Sequence, residues 1–98
     1  MPLSAKQKRH LKQLAHDKKP VVIVGSAGLT ENVITEIDSS IAHHELIKVR
    51  LNAGDRAAKQ TMAQHIATTL KAELIQTIGH IAIYYRAAEK PVIVLPKP

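Results

Sequence analysis

The spacing of apolar residues switches along the chain between a helical period and a strand period, and this alternation limits the fold more than any other property of the sequence. Leu11, Leu14 and Ala15 recur at intervals of three and four, as one helix face requires. Val21, Val22, Ile23 and Val24 follow without a break between Pro20 and Gly25, which predicts a short buried strand. Helical spacing returns at Val33, Ile34, Ile37 and Ile41. Ile47, Val49 and Leu51 then alternate with Lys48 and Arg50, the signature of a strand with one buried and one basic face. Ala58, Met62, Ile66 and Leu70 form a third helical stripe. Leu74 to Ile78 and Ile81 to Tyr85 read as strands joined at Gly79-His80 in a hairpin. Val92 to Leu95 can add an edge strand, since Pro91 and Pro96 bar any extension of its ladder. The order α-β-α-β-α-β-β predicts an α/β fold, a mixed sheet with helices packed on it.

Local signals place the helix starts. Ser4 with Gln7 three residues on is a capping box, opening a helix that runs to about His16. Thr30 is the next N-cap, with Leu29 and Ile34 as a hydrophobic staple, and its helix ends near His43 or His44. Asp55 caps the third helix after a turn at Asn52-Ala53-Gly54. Ninety-eight residues support one domain, 1–98, because so short a chain cannot build two hydrophobic cores. Its core must be aliphatic, for the only aromatic residues are two tyrosines. Without cysteine there is neither a disulfide framework nor thiolate chemistry. The apolar runs are too short to span a membrane, and the first residues offer no apolar leader segment. The expectation is a cytoplasmic protein with no membrane association.

Charge narrows the function. Fourteen Lys and Arg against eight Asp and Glu leave a formal +6. Residues 1–20 carry six positive charges and one negative, 21–47 only four negative, and 48–71 five positive and one negative. Blocks of this kind predict one basic and one acidic surface, the layout of a nucleic-acid binder. The plain alternative for Lys6, Lys8, Arg9 and Lys12 is a solvated helix face.

Gly25-Ser26-Ala27-Gly28 is the sharpest local motif. Two glycines between strand and helix permit positive φ and close approach of a ligand to backbone N–H groups, although a tight turn alone would also call for glycine. No Lys-Ser or Lys-Thr follows, so this is not a Walker loop, and the third glycine of a dinucleotide fingerprint is missing. Glu31 would repel a phosphate at the helix terminus, which favours the loop backbone as donor. Together with Lys18, Lys19, Lys48, Arg50 and the basic first helix, the loop supplies separate contacts that a sugar-phosphate backbone can follow. Arg56, Lys59 and Arg86 extend that surface, and Tyr84, on the same strand face as Arg86, offers at most one stacking ring beside its packing role. The six histidines lack the spacing of a metal site, so no metal or cofactor is expected. Ser26 is not in a G-x-S-x-G elbow and no base is placed beside it, so no catalytic residue is assigned. Turnover that depended on Ser26 would revive an enzymatic reading.

Three stretches carry a family likeness: Leu-Ser-Ala-Lys-Gln-Lys-Arg-His-Leu-Lys, Val-Val-Ile-Val-Gly-Ser-Ala-Gly-Leu-Thr-Glu-Asn-Val-Ile, and His-His-Glu-Leu-Ile-Lys-Val-Arg-Leu, with Ile78-Gly79 and Tyr84-Tyr85-Arg86 agreeing near the end. The chain resembles the CRM domain, named for chloroplast RNA splicing and ribosome maturation, in its stand-alone bacterial form, the YhbY family. The resemblance implies a four-stranded mixed sheet similar to the C-terminal domain of translation initiation factor three. It also implies binding of structured ribosomal RNA, association with the precursor large ribosomal subunit, and a KH-like GxxG loop at Gly25 to Gly28. Ser26 and Ala27 depart from the basic or amide residues common there, leaving the loop backbone as the donor. The expected RNA-binding set is therefore Gly25, Ser26, Ala27, Gly28, Lys6, Lys8, Arg9, Lys12, Lys18, Lys19, Lys48, Arg50 and Arg86, on a protein that is monomeric when free. The alternative is a protein-interaction module using Glu31, Glu36, Asp38 and Glu45, or the basic helix, against ribosomal or regulatory proteins.

Overall fold

Three helices and four strands form in the expected order in the computed structural model, which describes residues 3–52 and 54–98. They are α1 (Ala5–Ala15), β1 (Pro20–Val24), α2 (Glu31–His44), β2 (Leu46–Leu51), α3 (Arg56–Leu70), β3 (Glu73–Ile78) and β4 (Ile81–Tyr85). Each helix begins at its capping residue. Ser4 Oγ accepts from the Gln7 amide at 3.1 Å while Gln7 Oε1 accepts from the Ser4 amide at 3.0 Å. Thr30 Oγ1 accepts from Val33 N and Asp55 Oδ1 from Ala58 N. These bonds satisfy donors that the first helical turn leaves without intrahelical partners. The turn expected at Asn52-Ala53-Gly54 includes Ala53, which lies outside the described residues, as do Met1 and Pro2 at the expected leaderless start.

The sheet runs β1-β2-β4-β3. β1 is parallel to β2, and α2 makes the crossover that parallel neighbours require. β4 is antiparallel to both β2 and β3, and a two-residue turn at Gly79-His80 suffices for the second pair. Alternation along β2 divides the interior in two. Ile47, Val49 and Leu51 join Val22, Val24, Ala82 and Tyr84 beneath the buried residues of α2 and α3. On the opposite face, Leu46, Ile75, Ile83 and Tyr85 meet Leu11 and Ala15 of α1, with Ile93 and Leu95 packed against them.

Several expectations need correction. β1 is not a buried strand: Val22 and Val24 are covered, but Val21 and Ile23 are 43% and 59% exposed. It is an edge strand, and α1, which packs on β2, β3 and β4, leaves Val21 and Ile23 open. On α1, Leu11 and Ala15 are buried while Leu14 faces solvent. The α3 stripe is rotated from the expected one, with Ala63, Ile66, Ala67 and Leu70 buried, Met62 half-buried and Ala58 exposed. Residues 92–95 form no strand. The Glu45 carboxylate takes the amides of Ala88, Val92 and Ile93 at 2.8 to 2.9 Å, so the segment lies across the sheet rather than extending it. Gln7 Nε2 donates to Pro96 O at 3.0 Å and ties its far end to α1.

Candidate nucleic-acid interface

Lys48 and Arg50 alternate with the buried residues of β2, so both side chains project to the face that α1 shares. Because α1 covers only part of that face, a concave surface is left between its outer side and the strands. Arg9, Lys12, Gln13 and His16, brought to one face because 9 and 12, 9 and 13, 12 and 16, and 13 and 16 are three or four positions apart, line one wall, and Lys48 and Gln76 line the other. The groove encloses about 480 Å3, and Asp17 is its one acidic residue. Lys48 Nζ donates to His16 O at 3.3 Å, and Arg50 Nε donates to Asn52 Oδ1 at 3.0 Å. Neither bond neutralises a cation. Among the described residues the one ion pair is Arg86 with Asp38, so Arg9, Lys12, Lys48 and Arg50 have no carboxylate partner. Val21, Ile23 and Ile78 (57% exposed) give this open face an apolar component.

The glycine loop lies at the end of the sheet toward which Arg50 points along β2. Val24 pairs with Leu51, and the Asn52 amide donates to Val24 O at 2.9 Å. Within the loop Gly28 N donates to Gly25 O at 3.0 Å, closing a turn. Gly28 has φ +76°, a conformation that excludes most side chains. A Cβ added at Gly25 or Gly28 would meet nothing within 4 Å, so the backbone lies open to an incoming group. Ser26 and Ala27 are exposed, and among the described residues their amides have no protein acceptor. Such an arrangement can donate to phosphate oxygens.

The expected cations are not all gathered at one place. Arg9, Lys12 and Lys48 share the groove, and Arg50 continues it toward the loop end. Lys6 and Lys8 lie on the first turns of α1, outside the residues that line it. Lys18 and Lys19 line a separate hollow with Val21 and His44 at the start of β1. Arg86 is set apart altogether, half-buried with its guanidinium bonded at 2.8 Å to both Asp38 Oδ1 and Leu70 O and at 3.4 Å to Asp38 O. It clasps α2 and α3 to the end of β4, which leaves it poorly placed for a phosphate.

Tyr84 offers no stacking ring. It is 0% exposed, its hydroxyl donates to Ala63 O at 2.9 Å, and burial raises the phenol pKa well above its usual value. The acidic surface also shrinks. Glu45 is 2% exposed and Asp38 is paired with Arg86, leaving Glu31 and Glu36. Burial works against charge on Glu45, but the backbone donors Ala88, Ile93 and Val92 outweigh it and hold the carboxyl below its ordinary pKa. No sequence signal separated this structural glutamate from its solvated neighbours except its place between the apolar stripe of α2 and the first residue of β2.

Known proteins share this architecture. A Staphylococcus aureus protein solved in solution, described as a candidate RNA-binding protein, superimposes with a TM-score of 0.84 over 97% of this chain and 100% of its own, at 36% identity. A Haemophilus influenzae protein named as RNA-binding is 50% identical over 95 residues, covering 97% of this chain and 96% of its own. A probable RNA-binding protein of Pseudomonas aeruginosa is 37% identical over 91 residues, 93% of this chain and 88% of its own. The family model for the CRS1 / YhbY (CRM) domain matches residues 3–86, the span that holds every helix and strand of the sheet, the glycine loop and the groove. With that match and these identities, the chain belongs to the CRS1 / YhbY (CRM) domain family.

Proposed function

We infer that this protein is a non-enzymatic RNA-binding module that assists assembly of the large ribosomal subunit by holding structured ribosomal RNA in its precursors. One observation carries the reading: four cations without carboxylate partners, Arg9, Lys12, Lys48 and Arg50, lie on and beside a groove on the half-open face of the sheet. Neutralising phosphates with Lys and Arg is the main source of nucleic-acid affinity, and an array of separate cations follows a backbone rather than one anion. The exposed amides of Ser26 and Ala27 supply further donors at the loop end. With Tyr84 sealed in the core, recognition rests on backbone and shape rather than stacking. The names of the relatives support RNA as partner. The precursor subunit, the GxxG role of the loop, a cytoplasmic location and a monomeric free state belong to the proposal, which extends the family resemblance. A docking surface built on acidic residues is weaker, because two of its four carboxylates serve the fold.

The test is sedimentation of cell lysate through gradients at low and high salt, with crosslinking to identify bound RNA. Crosslinks to large-subunit ribosomal RNA in a particle lighter than the mature subunit, weakened by salt, are expected. Free protein at the top of a low-salt gradient, without RNA, would overturn the reading.

A further inference from the structure

Beyond the groove and the Lys18–Lys19 hollow, a further basic hollow opens between the first turns of α3 and the β3–β4 turn. Arg56, Lys59 and Gln60 approach it from the helix, and Thr77, Gly79 and His80 from the hairpin. No acidic residue lines it, and neither Arg56 nor Lys59 has a carboxylate partner among the described residues. Asp55, next in sequence to Arg56, is engaged with the Ala58 amide at 2.9 Å. The cavity measures about 200 Å3. That is the liquid volume of about seven waters, below the range of roughly 300 to 1,000 Å3 that holds drug-sized ligands. Such a space suits one hydrated tetrahedral anion and not a whole nucleotide.

The walls carry two cations and no carboxylate. Lys59 Nζ lies 3.1 Å from His80 Nδ1, which is also 3.3 Å from Leu51 O. One ring nitrogen cannot accept from the ammonium and donate to the carbonyl at once, so a ring that accepts from Lys59 orients the ammonium and leaves Leu51 O to other donors. Gln60 Nε2 already donates to Thr77 Oγ1 at 3.1 Å, which fixes the side wall. The backbone bond from Leu51 N to His80 O, at 2.6 Å, anchors the turn to the end of β2. Through Leu51, the hollow shares its end of the sheet with the glycine loop.

We propose that this hollow is a phosphate-binding site, in which Arg56 and Lys59 neutralise a single phosphate of bound RNA and His80 orients Lys59. The assignment rests on the RNA-binding reading for the source of the phosphate. Its chemistry, a compact oxyanion meeting two cations, stands on the cavity itself.

The experiment titrates the full chain and an Arg56→Gln/Lys59→Gln variant with inorganic phosphate, following backbone amide and histidine ring resonances against chloride at matched ionic strength. Saturable shifts at Gly79 and His80, lost in the variant, are expected. In parallel, binding of a structured ribosomal RNA fragment is measured across salt. The variant's slope of log K against log salt should be shallower by about 0.7 to 0.9 for the one lost phosphate contact. Saturable phosphate binding with identical RNA slopes would support the site and assign it to a free phosphate-bearing small molecule. Shifts that grow linearly and equally at all basic surfaces, with identical slopes, would overturn it. That failure is distinguishable from failure of the RNA reading, in which wild type and an Arg9→Glu/Lys12→Glu variant would also bind RNA alike or not at all.

Discussion

The hydroxyl of Tyr84, on the central strand β4, donates to the carbonyl oxygen of Ala63, in the middle of α3, over 2.9 Å in a fully buried setting. The bond fastens a helix to the sheet through the largest fully buried side chain of the core. Tyr84→Phe keeps the ring and removes only the donor. Unfolding in urea should show a loss of about 0.5 to 1.5 kcal/mol. Affinity for RNA should stay at the wild-type value, because the ring faces away from the open half of the sheet. A fall in affinity without a fall in stability would return Tyr84 to the interface.

Glu45 makes stability depend on acid. Its folded pKa is lowered, so its contribution is fully present above the unfolded carboxyl value near 4.5 and is lost as pH falls through the folded value. Glu45→Gln keeps one acceptor oxygen where the carboxylate uses both, and should cost about 1 to 3 kcal/mol at neutral pH. The gap between wild type and variant should narrow as pH falls below the ordinary carboxyl value of 4.5 and through the lower folded one. Hydrogen exchange at the amides of Ala88, Val92 and Ile93 should quicken in the variant at neutral pH. A gap independent of pH would mean that the charge contributes nothing.

Cations on two different faces separate binding from folding. Arg9→Glu/Lys12→Glu should weaken RNA binding and make its salt slope shallower by about 0.7 to 0.9 per lost contact. Its urea midpoint should barely move, since both side chains are exposed. Arg86→Ala should do the reverse, losing about 1 to 3 kcal/mol of stability with its bonds to Asp38 and Leu70 and leaving the slope intact. An unaltered slope in the first variant would reduce that face to a solvated one.

Gly28→Asp tests the loop. With φ at +76° a side chain costs about 1 to 2 kcal/mol, and aspartate tolerates this region better than most residues. Because the added Cβ meets open space, the circular dichroism spectrum should match wild type. RNA binding should disappear, as a carboxylate then sits where phosphate would approach. Unchanged binding would remove the loop from the interface.

What could be read in the sequence was local. The caps at Ser4, Thr30 and Asp55 act within three residues, and the two-residue alternation at Ile47, Val49 and Leu51 needs no knowledge of partners. Strand order was not readable from Val21 to Val24. A continuous apolar run suits a central strand, but the topology puts it at an edge where half of it meets solvent. The roles of Glu45 and Arg86 are invisible in the sequence for one reason, that their partners lie 43 to 48 positions away for Glu45 and 16 and 48 for Arg86. The charge blocks pointed to a basic surface. Only the placement of α1 across β2, β3 and β4 shows that Arg9, Lys12 and Lys48 share a groove while Lys18 and Lys19 belong to another hollow.

The matched family span closes at Arg86, yet the segment after it packs beneath the helix that carries Arg9 and Lys12. Ile93 and Leu95 complete the cluster around Leu11 and Ala15, and Pro96 O anchors Gln7. A fragment trimmed to residues 3–86 would retain every strand of the sheet and lose part of the bed on which α1 rests. The bed beneath Arg9 and Lys12 is thus partly made by residues far beyond them in the chain, none of which lines the groove.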